Sequence, residues 1–138
     1  MSTPVPRVLV VDDNDQSCIL AIRILELDGY EAVAVRSVAA ARRELAGTQF
    51  QAVLIDIQMP GESGIDLLRT VRACHPRTTP IMVTASVDPA TMALVEGIGA
   101  AGYLVKPYGV DDLLASLGDA LKPPEPTGAA GQPGQGNP

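Results

Sequence analysis

Residues 8–15 read VLVVDDND. Four aliphatic residues, Val8 to Val11, stop at Asp12 and Asp13, with Asp15 close behind. An apolar run of strand length without alternation is the pattern of a strand covered on both faces. Such a strand belongs in the middle of a helix-covered sheet. This one ends in carboxylates that repel one another, and the rest of the chain has to account for them.

Further apolar runs of strand length recur. With Arg7–Asp12 they are Glu31–Arg36, Ala52–Asp56, Pro80–Ala85 and Gly102–Val105. Segments suited to helices lie between them. Gln16–Asp28 is rich in Ile and Leu and is followed by Gly29, a residue suited to a helix C-terminus. Val38–Ala46 follows Ser37, a good N-cap, and ends at Gly47. Ser63–Cys74 spaces Ile65, Leu68 and Val71 along one helical face. Asp88-Pro89 reads as N-cap and first helical residue of a short helix to about Glu96. Val110–Leu121 points Leu113, Leu114 and Leu117 inward and carries acidic residues in its first turn.

Strands alternating with helices imply parallel pairing through βαβ crossovers. The pattern predicts an α/β protein with a flavodoxin-like, doubly wound, five-stranded parallel sheet and five helices. The second strand alternates more than the others and suits an edge. If the strand order is 2-1-3-4-5, strands one and three are neighbours at the switch point, where ligands bind outside the carboxyl ends. From Lys122 onward, KPPEPTGAAGQPGQGNP holds five prolines and four glycines and no aliphatic residue larger than Ala. Residues 1–121 are therefore expected to form the domain and 122–138 a flexible tail or linker.

Composition narrows the function. The 138 residues suffice for one ordinary domain, and 46% hydrophobic with 19% charged suits a soluble globular protein. The formal charge of −6 gives no reason to expect direct nucleic-acid binding. No apolar stretch reaches the ~20 residues of a membrane span. MSTPVPRV lacks a signal peptide's apolar region, so the expected location is the cytoplasm. Cys18 and Cys74 form no metal-type spacing and read as small packing thiols. His75 lies in a CHP segment and reads as a surface residue at a helix C-terminus.

The strand ends carry the chemistry. Asp56 ends the third run in AVLIDIQMPGESG, Thr84 the fourth in IMVTAS, and Lys106 follows the fifth in GYLVKPY. In the topology above, Asp12, Asp13, Asp56, Thr84 and Lys106 meet on one rim. Alone, each has an ordinary reading. Asp12, Asn14 or Asp15 could cap a helix, Thr84 suits a strand, and Lys106 suits a surface. Together they need a shared explanation. Carboxylates in one place are costly unless a cation joins them, and a hard divalent ion such as Mg²⁺ (or Mn²⁺) takes oxygen ligands of this kind. An Asp can be a nucleophile that forms an aspartyl phosphate, with Lys106 and the ion neutralising charge.

VDDN at 11–14, DIQMPGESG at 56–64, TA at 84–85 and YLVKP at 103–107 resemble the receiver domain of two-component response regulators, of the single-domain, chemotaxis-regulator kind. The resemblance covers residues 6–121 in order. It implies a phosphorelay switch that takes a phosphoryl group from a phosphohistidine on a sensor histidine kinase or a histidine phosphotransfer protein. Asp56 would be the phosphoacceptor. Asp12, Asp13, Asp56 and the Gln58 backbone carbonyl would hold the metal. Lys106 would pair with Asp56 or its phosphoryl group. Thr84 would swing to a phosphoryl oxygen, and Tyr103 would turn inward behind it. The output would be a change on the face of the fourth helix, fifth strand and fifth helix, read by a downstream protein or by a phosphorylation-dependent dimer. The Lys106–Pro107 bond would be cis, and Met59-Pro60 and Gly64 would shape the loop after Asp56. Gln58 and Ser86 would stand where side chains tune acyl-phosphate hydrolysis. Such a chain assists its own phosphorylation and dephosphorylation and is not otherwise an enzyme.

Two alternatives compete. One is the receiver fragment of a larger regulator or hybrid kinase. In another class, a Mg²⁺-dependent aspartyl-phosphate phosphatase also uses a strand-end Asp, but it needs an acid–base Asp two residues later, where this chain has Gln58. A flavodoxin-like electron carrier would want a Ser/Thr/Gly-rich phosphate loop in place of DDND.

Overall fold

Ten elements alternate along the chain in the computed structural model, which describes residues 5–61 and 63–121. They are β1 (Arg7–Val11), α1 (Asp15–Leu27), β2 (Glu31–Val35), α2 (Val38–Gly47), β3 (Ala52–Asp56), α3 (Gly64–Cys74), β4 (Thr79–Thr84), α4 (Pro89–Ile98), β5 (Gly102–Val105) and α5 (Val110–Leu121). The tail expected over 122–138 lies outside the described residues.

All neighbouring strands pair in parallel, in the order β2-β1-β3-β4-β5. β1 sits between β2 and β3, with Val11 opposite Val35 on one side and Ile55 on the other. The unalternating runs now have their cause. Along β1, Leu9 and Val11 enter one core with α2, α3 and α4, while Val8 and Val10 enter a second core with α1 and α5. Strand side chains point alternately to the two faces, so a strand with helices on both faces must be apolar throughout. All five residues of β3 are buried. Fully burying one such Leu or Ile contributes roughly 1.5–3 kcal/mol.

The edges differ from the centre. β2 is only partly buried, as its pattern suggested. β5 is the other edge, as the order 2-1-3-4-5 implies: Leu104 is buried beneath α5, but Tyr103 and Val105 on the opposite side are exposed. Apolar residues of a short run do not reveal that one face lacks a cover.

Local capping follows the sequence. Ser37 accepts from the Ala40 amide, and Asp88 accepts from the Ala90 amide with Pro89 opening α4. Of the three candidates near residue 14, Asn14 is the cap of α1. Gly29 follows the Asp28 C-cap of α1 at φ +91°. Three details depart from expectation. α4 continues past Glu96 to Ile98 and closes at Gly99 with φ +121°. The buried face of α3 is Gly64, Leu67, Leu68 and Val71, with Ile65 at its margin. In α5, Leu113 and Leu117 are fully buried and Leu114 only partly. Cys18 and Cys74 are both free, the first buried and the second exposed. They sit on helices that cover opposite faces of the sheet, so they cannot meet. Among the described residues no helix is long and apolar enough to cross a membrane.

Candidate functional site

Parallel strands deliver their carboxyl ends to one rim, and the charged residues collect there. β1 ends at Val11, and the Asp12 amide extends the ladder by donating to the Val35 carbonyl at 3.1 Å. Asp56 is the last residue of the neighbouring β3. Asp12, Asp13 and Asp56 can each offer one carboxylate oxygen, all within 4.8 Å of one another. Asp12 and Asp56 are only 5% and 6% exposed, whereas Asp13 opens to solvent.

Lys106 reaches the same point from the end of β5. Its Nζ donates to Asp12 Oδ2 at 2.7 Å and to Asp56 Oδ2 at 3.1 Å. The other oxygen of each carboxylate is held by a backbone amide two residues on: Asn14 N–H to Asp12 Oδ1 at 2.9 Å and Gln58 N–H to Asp56 Oδ1 at 3.0 Å. Each buried carboxylate is thus fixed in its turn and shared with one ammonium. The Lys106 amide also donates to the Thr84 carbonyl at 2.7 Å, and the Lys106–Pro107 bond is cis.

Burial pushes the Asp56 carboxyl above the usual aspartate range, against the pull of the Gln58 amide and Lys106. Burial also works against the Lys106 ammonium, but its hydrogen bonds to Asp12 and Asp56 outweigh that cost and raise it above the ordinary lysine range. Lys106 therefore stays charged at neutral pH. One positive charge among three aspartates leaves a surplus of negative charge, and a divalent cation would cancel it. The donor set is oxygen-only and open at Asp13, which fits a hard ion that keeps some of its water.

Thr84 is buried, yet its hydroxyl is committed to the β4–α4 loop. It donates to the Ser86 carbonyl at 2.7 Å and accepts from the Ser86 amide at 3.2 Å. Tyr103 stands 41% exposed on the open side of β5.

Some contributors were not visible beforehand. Gly61 takes the left-handed turn after Asp56 at φ +82°, a role the sequence reading left to Met59-Pro60 and Gly64. Gly64 has a different task. A Cβ there would lie 2.2 Å from the Asp56 carbonyl oxygen, so only glycine lets α3 start against the end of β3. Cys18, on the buried face of α1, donates its thiol hydrogen to the Asp12 carbonyl at 3.2 Å. Nothing in the sequence pairs residue 18 with residue 12. Arg36, just past β2, pairs with Asp15 at the start of α1.

A family profile described as the response regulator receiver domain matches residues 8–118. The chain belongs to that family. It is 35% identical over 124 residues to the protein PetR of Rhodobacter capsulatus, covering 88% of this chain and 51% of PetR. It is 33% identical over 117 residues to the sensory/regulatory protein RpfC of Xanthomonas campestris, covering 82% of this chain and 16% of RpfC. This receiver thus spans about half of the first relative and a small part of the second. Among solved structures, a response regulator receiver protein from Pseudomonas putida superposes with a TM-score of 0.78 at 31% identity, over 84% of this chain and 98% of that one. The chemotaxis protein CheY4 of Vibrio cholerae gives 0.81 at 27% identity, over 86% of this chain and all of that one. The receiver family consists of signalling switches of two-component systems.

Proposed function

We propose that Asp56 accepts a phosphoryl group from a phosphohistidine on a sensor histidine kinase or a histidine phosphotransfer protein, making this receiver a phosphorylatable switch. The observation that carries the reading is the Lys106 ammonium bridging Asp12 and Asp56 at the rim where Asp13 joins them. A carboxylate oxygen of Asp56 attacks phosphorus, the P–N bond to the imidazole breaks, and the leaving imidazole takes up a proton. Asp12, Asp13, Asp56 and the Gln58 carbonyl would hold Mg²⁺ (or Mn²⁺), which when bound neutralises charge on the phosphoryl oxygens. Lys106, whose Nζ lies 3.1 Å from Asp56 Oδ2, would neutralise charge there as well. The Gln58 amide orients the Asp56 carboxylate before transfer.

The switch follows from competition for hydrogen bonds. The new phosphoryl oxygens are strong acceptors. Thr84 exchanges its bond to the Ser86 carbonyl for one of them, which draws the β4–α4 loop with it. Tyr103 turns inward from its exposed position, and the face of α4, β5 and α5 changes shape for a downstream protein or a second copy.

The test is intact mass after incubation with acetyl phosphate. One added phosphoryl group is expected with Mg²⁺, and none with EDTA or in Asp56→Asn. No addition from either acetyl phosphate or a phosphorylated histidine phosphotransfer protein would overturn the reading.

A further inference from the structure

We propose that the Cys18 thiol is a positioning group for the cation site: its hydrogen bond to the Asp12 carbonyl sets the direction of Asp13 and so the affinity of the carboxylate cluster for a divalent ion. The inference rests on the reading of Asp12, Asp13 and Asp56 as that site.

The Asp12 carbonyl belongs to the peptide unit that joins Asp12 to Asp13. That unit is a rigid plane. Whatever holds its oxygen also fixes where the Asp13 nitrogen and Cα go. Cys18 Sγ lies 3.2 Å from this oxygen. The thiol is 1% exposed, so water does not compete for the bond. Cys18 is itself anchored, since its amide donates to the Asn14 carbonyl at 3.1 Å and Asn14 caps the helix through the Ser17 amide at 2.9 Å.

Asp13 depends on this more than its neighbours do. Asp12 and Asp56 have both carboxylate oxygens bonded to donors. Among the described residues nothing donates to the Asp13 carboxylate, so the backbone alone aims it at the other two. Asp13 is also the exposed member of the cluster, on the side from which an ion would enter. Groups that orient metal ligands without touching the metal typically change affinity by roughly 10–100-fold. A thiol is a weak donor, which puts the expected effect near the lower end.

The experiment titrates MgCl₂ into the full chain by isothermal calorimetry, with thermal melts of each variant alongside. Cys18→Val keeps an apolar side chain without the donor, Cys18→Ala removes donor and volume, and Cys18→Ser restores a donor. Val and Ala are expected to weaken Mg²⁺ binding about tenfold. Ser should stay within roughly twofold of wild type even where its melting temperature falls, because a buried hydroxyl costs stability but still donates. In the metal-free protein the Asp13 amide resonance should move in Cys18→Val and return toward wild type in Cys18→Ser. Val and Ala binding as tightly as wild type would overturn the proposal. So would affinities that merely track melting temperature, Ser included. Asp13→Asn separates this failure from that of the underlying reading. If wild type binds Mg²⁺ and Asp13→Asn does not, the cluster is a cation site whatever the Cys18 variants do. If the two behave alike, the cation site fails and the role of Cys18 fails with it.

Discussion

Gly64→Ala is a one-carbon change at the junction that builds the acceptor strand. The added Cβ would lie 2.2 Å from the Asp56 carbonyl oxygen and 3.0 Å from Ile55 Cγ2. An ordinary contact is at least 3.4 Å, so the end of β3 and the start of α3 must separate by about 1.2 Å. The obstructing oxygen is backbone in a central, fully buried strand and has no rotamer to yield. Overpacking against such a neighbour costs about 1–3 kcal/mol. The gain in helix propensity is at most ~1 kcal/mol and smaller at the first helical residue. The net expectation is a loss of about 1–2 kcal/mol, or roughly 3–12 °C in Tm for a domain of this size. Circular-dichroism melts in EDTA read this directly. Gly97→Ala in α4 and Gly118→Ala in α5 are the controls, because a Cβ at either meets nothing within 4 Å. They should stabilise by about 0.5–1 kcal/mol. The opposite signs isolate the close approach from generic glycine effects. A Gly64→Ala protein that melts at or above wild type, in step with the controls, would refute the reasoning. Since the shift falls on Asp56, phosphoryl uptake should slow as well.

Two further expectations follow from the charges. Lys106→Ala leaves Asp12 and Asp56 buried without their ammonium and should cost about 2–3 kcal/mol, less than a fully buried pair because Lys106 retains some solvent contact; urea unfolding that matches wild type would count against the bridge. Asp56→Asn should stabilise the metal-free protein at pH 7. The folded carboxyl titrates above its unfolded value, so ionising it costs stability, fully above the folded pKa and not at all below the ordinary aspartate value of about 3.9. The advantage of Asn over Asp should therefore shrink as the pH is lowered through that window. An advantage unchanged with pH would mean that burial of the charge is not its source.

Much of the fold was legible because its determinants are local. Asn14, Ser37 and Asp88 cap their helices through amides two or three residues away, a distance that sequence spacing encodes. Finer placement is not legible there. Spacing puts Ile65, Leu68 and Val71 on one face of α3 but leaves the helix rotation free by about one residue, and the structure seats Leu67 fully and Ile65 only partly. An apolar run such as β5 likewise does not say which of its faces a helix covers.

The sequence by itself determined the helix-covered parallel sheet, since strands such as β1 and β3 must be apolar on both faces to sit in its centre. It also determined which polar residues end those strands, because breaks in apolar runs mark the ends. Only the tertiary structure decided how those residues meet. Lys106 bridges Asp12 and Asp56 across 94 and 50 residues of chain. Gly64 admits the Asp56 carbonyl, and the Cys18 thiol reaches the Asp12 carbonyl. These are contacts between separate elements. They depend on strand register and helix approach to within about an ångström, finer than periods of 2 and 3.6 residues can resolve.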